Sequence, residues 1–238
     1  MTFEQDELSR LEDISESHDY KLGFNGILME YKFKAVAHHI MPSSSVLEMG
    51  PADGLITGKI LSITENLTVL DGSIHYLADI EKNHPEVTTI HGLFEEVDLN
   101  TRFDVILMVH ILEHVEDPVR TLTRVREWLK DDGKVIITVP NAHSYHRMLG
   151  VEMDLLESEF ELNESDLMVG HRRVYDSDSL ANDVQSAGLS ISESTGVFFK
   201  LFHNSLMETF SESQLEGLYH LGKKFPDNCA ELLIVATI

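Results

Sequence analysis

The stretch Ser45-Val46-Leu47-Glu48-Met49-Gly50-Pro51-Ala52-Asp53-Gly54 reads as a short apolar strand ending in an acid, then a glycine turn, then a helix beginning near Leu55. In such a strand–turn–helix unit the first glycine permits a sharp turn, and the later one lets a ligand approach the backbone closely. Glu48 sets a carboxylate beside that turn. It would repel a pyrophosphate and attract a cation. The turn therefore suits a nucleoside that carries a cationic amino acid in place of phosphates.

Outward from this unit, strands and helices alternate. Val46–Met49 is the first strand and Leu55–Ile63 the first helix of the series. Thr68–Leu70 is a second strand, with Asp71-Gly72-Ser73 as turn and helix start. Leu77 and Ile80 mark the next helix, which stops before Pro85. Val87–Ile90 is a third strand. The near-continuous apolar run Val105-Ile106-Leu107-Met108-Val109 fits a central strand covered on both faces. Asp117 then caps a helix with Pro118 at its first position, and Val119, Leu122, Val125 and Leu129 form its buried stripe. Asp132-Gly133 should end that helix, and Lys134–Val139 should be strand five. This order predicts a doubly wound, Rossmann-like α/β sheet with helices on both faces. Ile191–Phe199 and Ala230–Ile238 read as two further strands.

The 238 residues, 42% of them hydrophobic, suffice for a single domain over 1–238 with additions. Residues 1–40 read as an N-terminal helical arm, its first 19 residues acidic and loose or briefly helical. Phe24, Ile27, Leu28, Tyr31 and Ala35 fall at helical spacing. Residues 141–172 and 200–227 read as helical lid insertions. Eighteen basic against 41 acidic residues leave a net charge of −23, which argues against binding a nucleic-acid backbone or an anionic membrane. No apolar run is long enough to span a bilayer. Cys229 is the single cysteine, which excludes an intrachain disulfide and fits a reducing cytoplasm. A monomer or homodimer is expected.

In open sheets of this kind ligands bind beyond the carboxyl ends of the strands. Glu48 and Gly50 stand at the first such end and Asp71 at the second. His91-Gly92-Leu93-Phe94 and His110-Ile111-Leu112-Glu113-His114-Val115 stand at the third and fourth. Together with Phe103–Pro118, these residues resemble the class I S-adenosylmethionine-dependent methyltransferases. The Leu112-Glu113-His114-Val115-Glu116-Asp117-Pro118 segment is similar to that of small-molecule enzymes such as the ubiquinone-pathway O-methyltransferases. The resemblance implies seven strands with the last antiparallel, and S-adenosylmethionine as donor with S-adenosylhomocysteine as product. It implies that Glu48, Gly50, Ala52 and Gly54 hold the methionine part. Asp71 and Gly72 would hold the ribose, Leu93 and Phe94 the adenine, and Val109 and His110 the region of the transferable methyl. Ala52 departs from the family pattern, in which glycine is commoner.

Methyl transfer to a small molecule is the expected reaction, with oxygen of a sugar, acid or natural-product intermediate as the preferred acceptor atom. A hydroxyl acceptor is helped by a base, and histidine titrates near neutrality. His110, His171 and His143 are the catalytic candidates, with His146 behind them. Arg172, Arg173 and Lys200 are candidates for an anionic group of the acceptor, although ion pairing with neighbouring acids explains all three as well. Tyr20, Phe24, Tyr145 and Phe199 are candidates for the pocket wall. His110 and His114 are four residues apart with Glu113 between them, but spacing alone reveals no third ligand, and no metal is expected. A dinucleotide enzyme and a non-catalytic binding protein of the same fold remain as rivals.

Overall fold

The computed structural model describes residues 3–17 and 23–238. Along the chain run α1 (Phe3–Ser17), α2 (Gly23–Val36), β1 (Val46–Met49), α3 (Leu55–Leu61), β2 (Leu67–Asp71), α4 (Ile74–Asn83), β3 (Thr88–His91) and β4 (Phe103–Val109). Then follow α5 (Pro118–Trp128), β5 (Leu129–Pro140), α6 (Tyr145–Glu152), α7 (Glu164–Met168), α8 (Ser177–Ser186), β6 (Ser190–Val197), α9 (Asn204–Met207), α10 (Glu212–Gly222) and β7 (Glu231–Thr237). The seven strands form one sheet in the order β3-β2-β1-β4-β5-β7-β6. β7 runs antiparallel to both of its neighbours, as the resemblance implied.

Because side chains alternate across a strand, the sheet splits the core in two. Val46, Val69, Val105, Leu107, Leu233 and Val235 face one layer, packed by α2, α3, α4 and α10. Leu47, Leu70, Ile106, Met108, Leu232 and Ile234 face the other, packed by α5 and α8. The same parity sends Glu48, Asp71 and Glu231 toward the α2 side, each at the edge of the sheet where the parallel strands end.

Two expectations change. The helix after Pro118 ends at Trp128 rather than at Asp132-Gly133. Leu129 already pairs with Phe103, and a bulge follows opposite Asp104. Lys130 spans that irregularity with an ion pair to Asp104 at 2.8 Å, so a sequence with helical spacing is taken up by the sheet. The N-terminal segment is also no loose arm within its described part. Helix α1 docks on the start of α4: Glu12 accepts hydrogen bonds from the Ile74 amide (2.5 Å) and the Ser73 hydroxyl (2.9 Å), and Leu11 packs on Gly72, where a Cβ would leave it no room.

Both insertions contain the expected helices: α6 and α7 in the first, α9 and α10 in the second. Asn141 joins their bases, its amide donating to the carbonyls of Asp227 (2.8 Å) and Cys229 (2.9 Å).

Glu12 caps α4 from another helix, so Glu12→Ala should remove a cap worth about 1 kcal/mol and free α1. A lower urea midpoint together with faster amide exchange in α1 is expected. An unchanged midpoint would refute the docking role.

Candidate active site

The turn after β1 is built from left-handed backbone at Gly50 (φ 62°), Ala52 (φ 46°) and Gly54 (φ 77°). At Gly50 a Cβ would collide with Ile111. Ala52 tolerates its Cβ, but in a conformation that costs an L-residue about 1–2 kcal/mol. Glu48 is buried and accepts a hydrogen bond from the Thr57 hydroxyl at 2.7 Å. Asp71, also buried, accepts from the Ser73 amide at 2.7 Å. Among the described residues neither carboxylate has a cationic partner. Burial therefore pushes Glu48 up to about 8 and Asp71 up to about 7. Next to Asp71 a cleft is lined by Gly72, Gly92, Leu93, Phe94 and His114, with Leu11 of α1 along one side. Leu93 and Phe94 thus form an apolar slot. Val109, by contrast, lies in the α2-side core.

At the end of β4 the chain turns on His110, whose φ of 59° is uncommon for a side-chain-bearing residue. Its Nδ1 lies 2.8 Å from Glu113 Oε1 and its Nε2 2.5 Å from Glu231 Oε2. Lys32, buried on α2, is 2.6 Å from the same Nε2 and 3.3 Å from Glu231 Oε1. Burial and Lys32 oppose a charge on the imidazole, but Glu231 and Glu113 outweigh them and raise His110 to about 9. Burial likewise opposes charge on Glu231, yet His110 and Lys32 hold it well below the usual carboxylate range. An imidazolium has no lone pair to receive a proton. The raised pKa makes His110 a partner for the two carboxylates, and a charged His110 would anchor them rather than take a proton.

The other histidine candidates separate. His171 packs edge-on against His114 with centroids 4.7 Å apart, and its Nδ1 is 3.2 Å from Asp166. His143 lies against Phe160, with Nε2 3.4 Å from Glu159. Glu113 is fully buried and, beyond its ion pair with His110, its oxygens have no hydrogen-bond partner. Glu113, His114 and His171 bring ligand-type atoms within 4.8 Å of one another. The third group that spacing did not reveal thus comes from the first insertion, and the set has the donor chemistry of a divalent-cation site. Burial pulls His114 down to about 4, so its imidazole is neutral at pH 7.

The paired arginines do not face an acceptor. Arg172 donates to the His114 carbonyl (2.8 Å) and to Glu7 (2.9 Å). Arg173 donates to the carbonyls of Leu112 (2.7 Å), Val115 (2.5 Å) and Glu116 (3.0 Å). Both brace the β4–α5 loop, which corrects their assignment to substrate. Phe24 is a core residue stacked edge-on against Phe198. Tyr145 and Phe199 do meet, with centroids 5.4 Å apart. Tyr20 lies outside the described residues. Two central residues escaped the sequence reading, and each left a signal. Lys32 follows Phe24, Leu28 and Tyr31 on the buried stripe of α2, and Glu231 opens an otherwise apolar buried strand.

A family model described as a methyltransferase domain matches residues 23–194. The ubiquinone biosynthesis O-methyltransferase of Rickettsia canadensis is 24% identical over 163 residues, covering 63% of this chain and 69% of that protein. In fold, the chain is similar to a Thermotoga maritima S-adenosylmethionine-dependent methyltransferase, described as a possible histamine N-methyltransferase (TM-score 0.65, 20% identity, 95% and 99% of the two chains covered). It is similar too to the N-methyltransferase NodS of Bradyrhizobium japonicum, solved with S-adenosylhomocysteine (TM-score 0.53, 14% identity, 89% and 85% covered). The chain belongs to the methyltransferase domain family, and S-adenosylmethionine is its methyl donor. The residues present fit that donor: two buried carboxylates without a cation, a glycine cradle and an apolar slot.

The raised carboxylates predict a sign. An unfolded chain ionises Glu48 and Asp71 near their ordinary values of 4.5 and 3.8, whereas the folded protein keeps them protonated up to about 8 and 7. Stability of the unliganded protein should therefore fall as pH rises from about 5 to 8. Donor binding at pH 7 should release protons. Calorimetry of S-adenosylhomocysteine binding in buffers of different ionisation enthalpy reads this directly, and a buffer-independent heat would refute it.

Proposed function

We propose that this methyltransferase transfers its methyl group to a hydroxyl of a small polar molecule that docks against the cluster of Lys32, His110 and Glu231. The single observation that carries the reading is the shared position of two sites. Glu113 touches His110 of the polar chamber and faces His114, which lines the donor cleft. The polar cluster of Lys32, His110 and Glu231 thus adjoins the donor cleft at the end of β4. In this reading residues 141–172 and 200–227 are the chamber's outer walls, set on the single domain. The O-methyltransferases among the sequence relatives support oxygen as the acceptor atom, and the charge of −23 supports a small molecule over a nucleic acid.

The donor supplies a sulfonium whose methyl is already activated, so the chain's task is to hold and orient. Glu48 would face the amino-acid part and Asp71 would accept hydrogen bonds from the ribose hydroxyls. Leu93 and Phe94 would flank the base. Holding the acceptor in line with the breaking S–CH₃ bond contributes on the order of 7–11 kcal/mol. An acceptor hydroxyl beside Lys32 and His110 meets two cations, which favour its ionised and more nucleophilic form. Glu231 keeps both cations in place.

Two measurements test this. Calorimetry should show S-adenosylmethionine and S-adenosylhomocysteine binding to the wild type and weakening about tenfold or more in Asp71→Ala, the loss of a charge-assisted hydrogen bond. Equal binding by the variant would sink the assignment of Asp71. In a screen of hydroxyl and amine acceptors, Lys32→Met should lower kcat about 100-fold while donor affinity stays at the wild-type value. A variant with full kcat would remove Lys32 from the reaction.

A further inference from the structure

Among the described residues, every permanent cation of the acceptor chamber but one has a counter-ion. Lys32 is paired with Glu231, which also holds His110. Arg147 is held by Asp166 at 3.3 Å and by the carbonyl oxygens of Glu159 and Glu161. Lys200 is the exception. No carboxylate among the described residues is at ion-pair distance from it, and its ammonium stands 6.0 Å from the centre of the Phe24 ring. Next to it on α6, His146 keeps a buried Nδ1 without a hydrogen-bond partner.

A half-buried ammonium without a counter-ion is costly. In a chain with 41 acidic residues, none among the described residues is set against Lys200. The backbone leading to Lys200 is itself strained, since Phe198 has a φ of 62°. A bulky residue adopts that conformation only where its surroundings impose it. Here Gly222 of α10 lets the Phe198–Phe199 backbone come close; a Cβ there would stand 3.3 Å from the Phe199 nitrogen. Beside Lys200, Phe199 lies between Tyr145 (5.4 Å) and Phe225 (5.8 Å), and both of those rings are exposed. Lys200 thus follows directly in the chain on a half-open aromatic wall.

We propose that Lys200 binds a carboxylate or phosphate group of the methyl acceptor, with Tyr145, Phe199 and Phe225 against the acceptor's apolar part. This rests on reading the chamber as the acceptor site. The groups facing Lys200 agree with it. Glu231 is committed to Lys32 and His110, Asp166 to Arg147 and His171, and His146 is neutral because burial and then Lys200 and Arg147 hold it well below its ordinary value. Burial, with Lys32 and Arg147 adding to it, pulls Lys200 itself down to about 8, and a bound anion would reverse that.

The test is calorimetry on protein saturated with S-adenosylhomocysteine, titrated with phenyl phosphate, benzoate and the uncharged benzyl alcohol. One or both anions should bind the wild type. Lys200→Met should weaken that binding about tenfold or more, and Lys200→Arg should restore it to within about threefold. Donor-product affinity should be the same in all three proteins. Benzoate against phenyl phosphate tells carboxylate from phosphate. Anions that bind Lys200→Met as well as the wild type, or that fail to bind the loaded wild type, overturn the role of Lys200 and leave the donor site standing. Benzyl alcohol binding as tightly as the anions overturns it too. Failure of the wild type to bind S-adenosylhomocysteine would overturn both readings at once.

Discussion

The Glu231 carboxylate ties together three elements that are distant in sequence. It begins β7, the antiparallel strand, and meets His110 at the end of β4 and Lys32 on α2. A buried carboxylate pays a heavy desolvation cost unless cations stand beside it, and here two do. Glu48 and Asp71 occupy the same face of the same sheet, both buried, and among the described residues no cation stands beside them. The three carboxylates therefore shift in opposite senses: Glu231 downward, Glu48 and Asp71 upward. That contrast divides the sheet edge into one half that is electrostatically complete and one half that awaits a positive ligand.

The loop between these halves, residues 110–117, must keep His110 in left-handed backbone and Glu113 buried. Its carbonyl groups are held from outside by Arg172 and Arg173, which belong to the end of the first insertion. Helix α1 closes the opposite side through Glu7, which pairs with Arg172 at 2.9 Å, and through Glu12 on α4. The insertion, the N-terminal helix and the β4–α5 loop thus form one connected polar frame around the donor cleft.

The central sheet was readable because its periodicity is strong and its stops are chemically specific. The apolar run of β4, the Asp117 cap with Pro118 after it, and the Glu48–Gly54 turn each have a local cause. Reading failed where a local signal met a tertiary competitor. Leu129 continues the apolar spacing of α5, yet its pairing with Phe103 draws it into β5. Arg172 and Arg173 looked available for an anion because a sequence does not show which carbonyl groups lie within their reach. Lys32 and Glu231 each stood as a polar residue in an apolar pattern, but nothing in either segment reveals that they are partners.

Local chemistry in the chain was enough to specify the succession of strands and helices, the glycine turn, the two acids at successive strand ends and the cationic nature of the ligand they suit. These features depend on alternation, capping and turn conformation, which act over a few residues. Folding decided the groupings: His110 with Glu113, Glu231 and Lys32, Glu113 with His114 and His171, and Lys200 without a counter-ion among the described residues. Those depend on burial and on distances between segments far apart in sequence, 121 residues for His110 and Glu231, and electrostatic energies in a low-dielectric interior change steeply over a few ångströms.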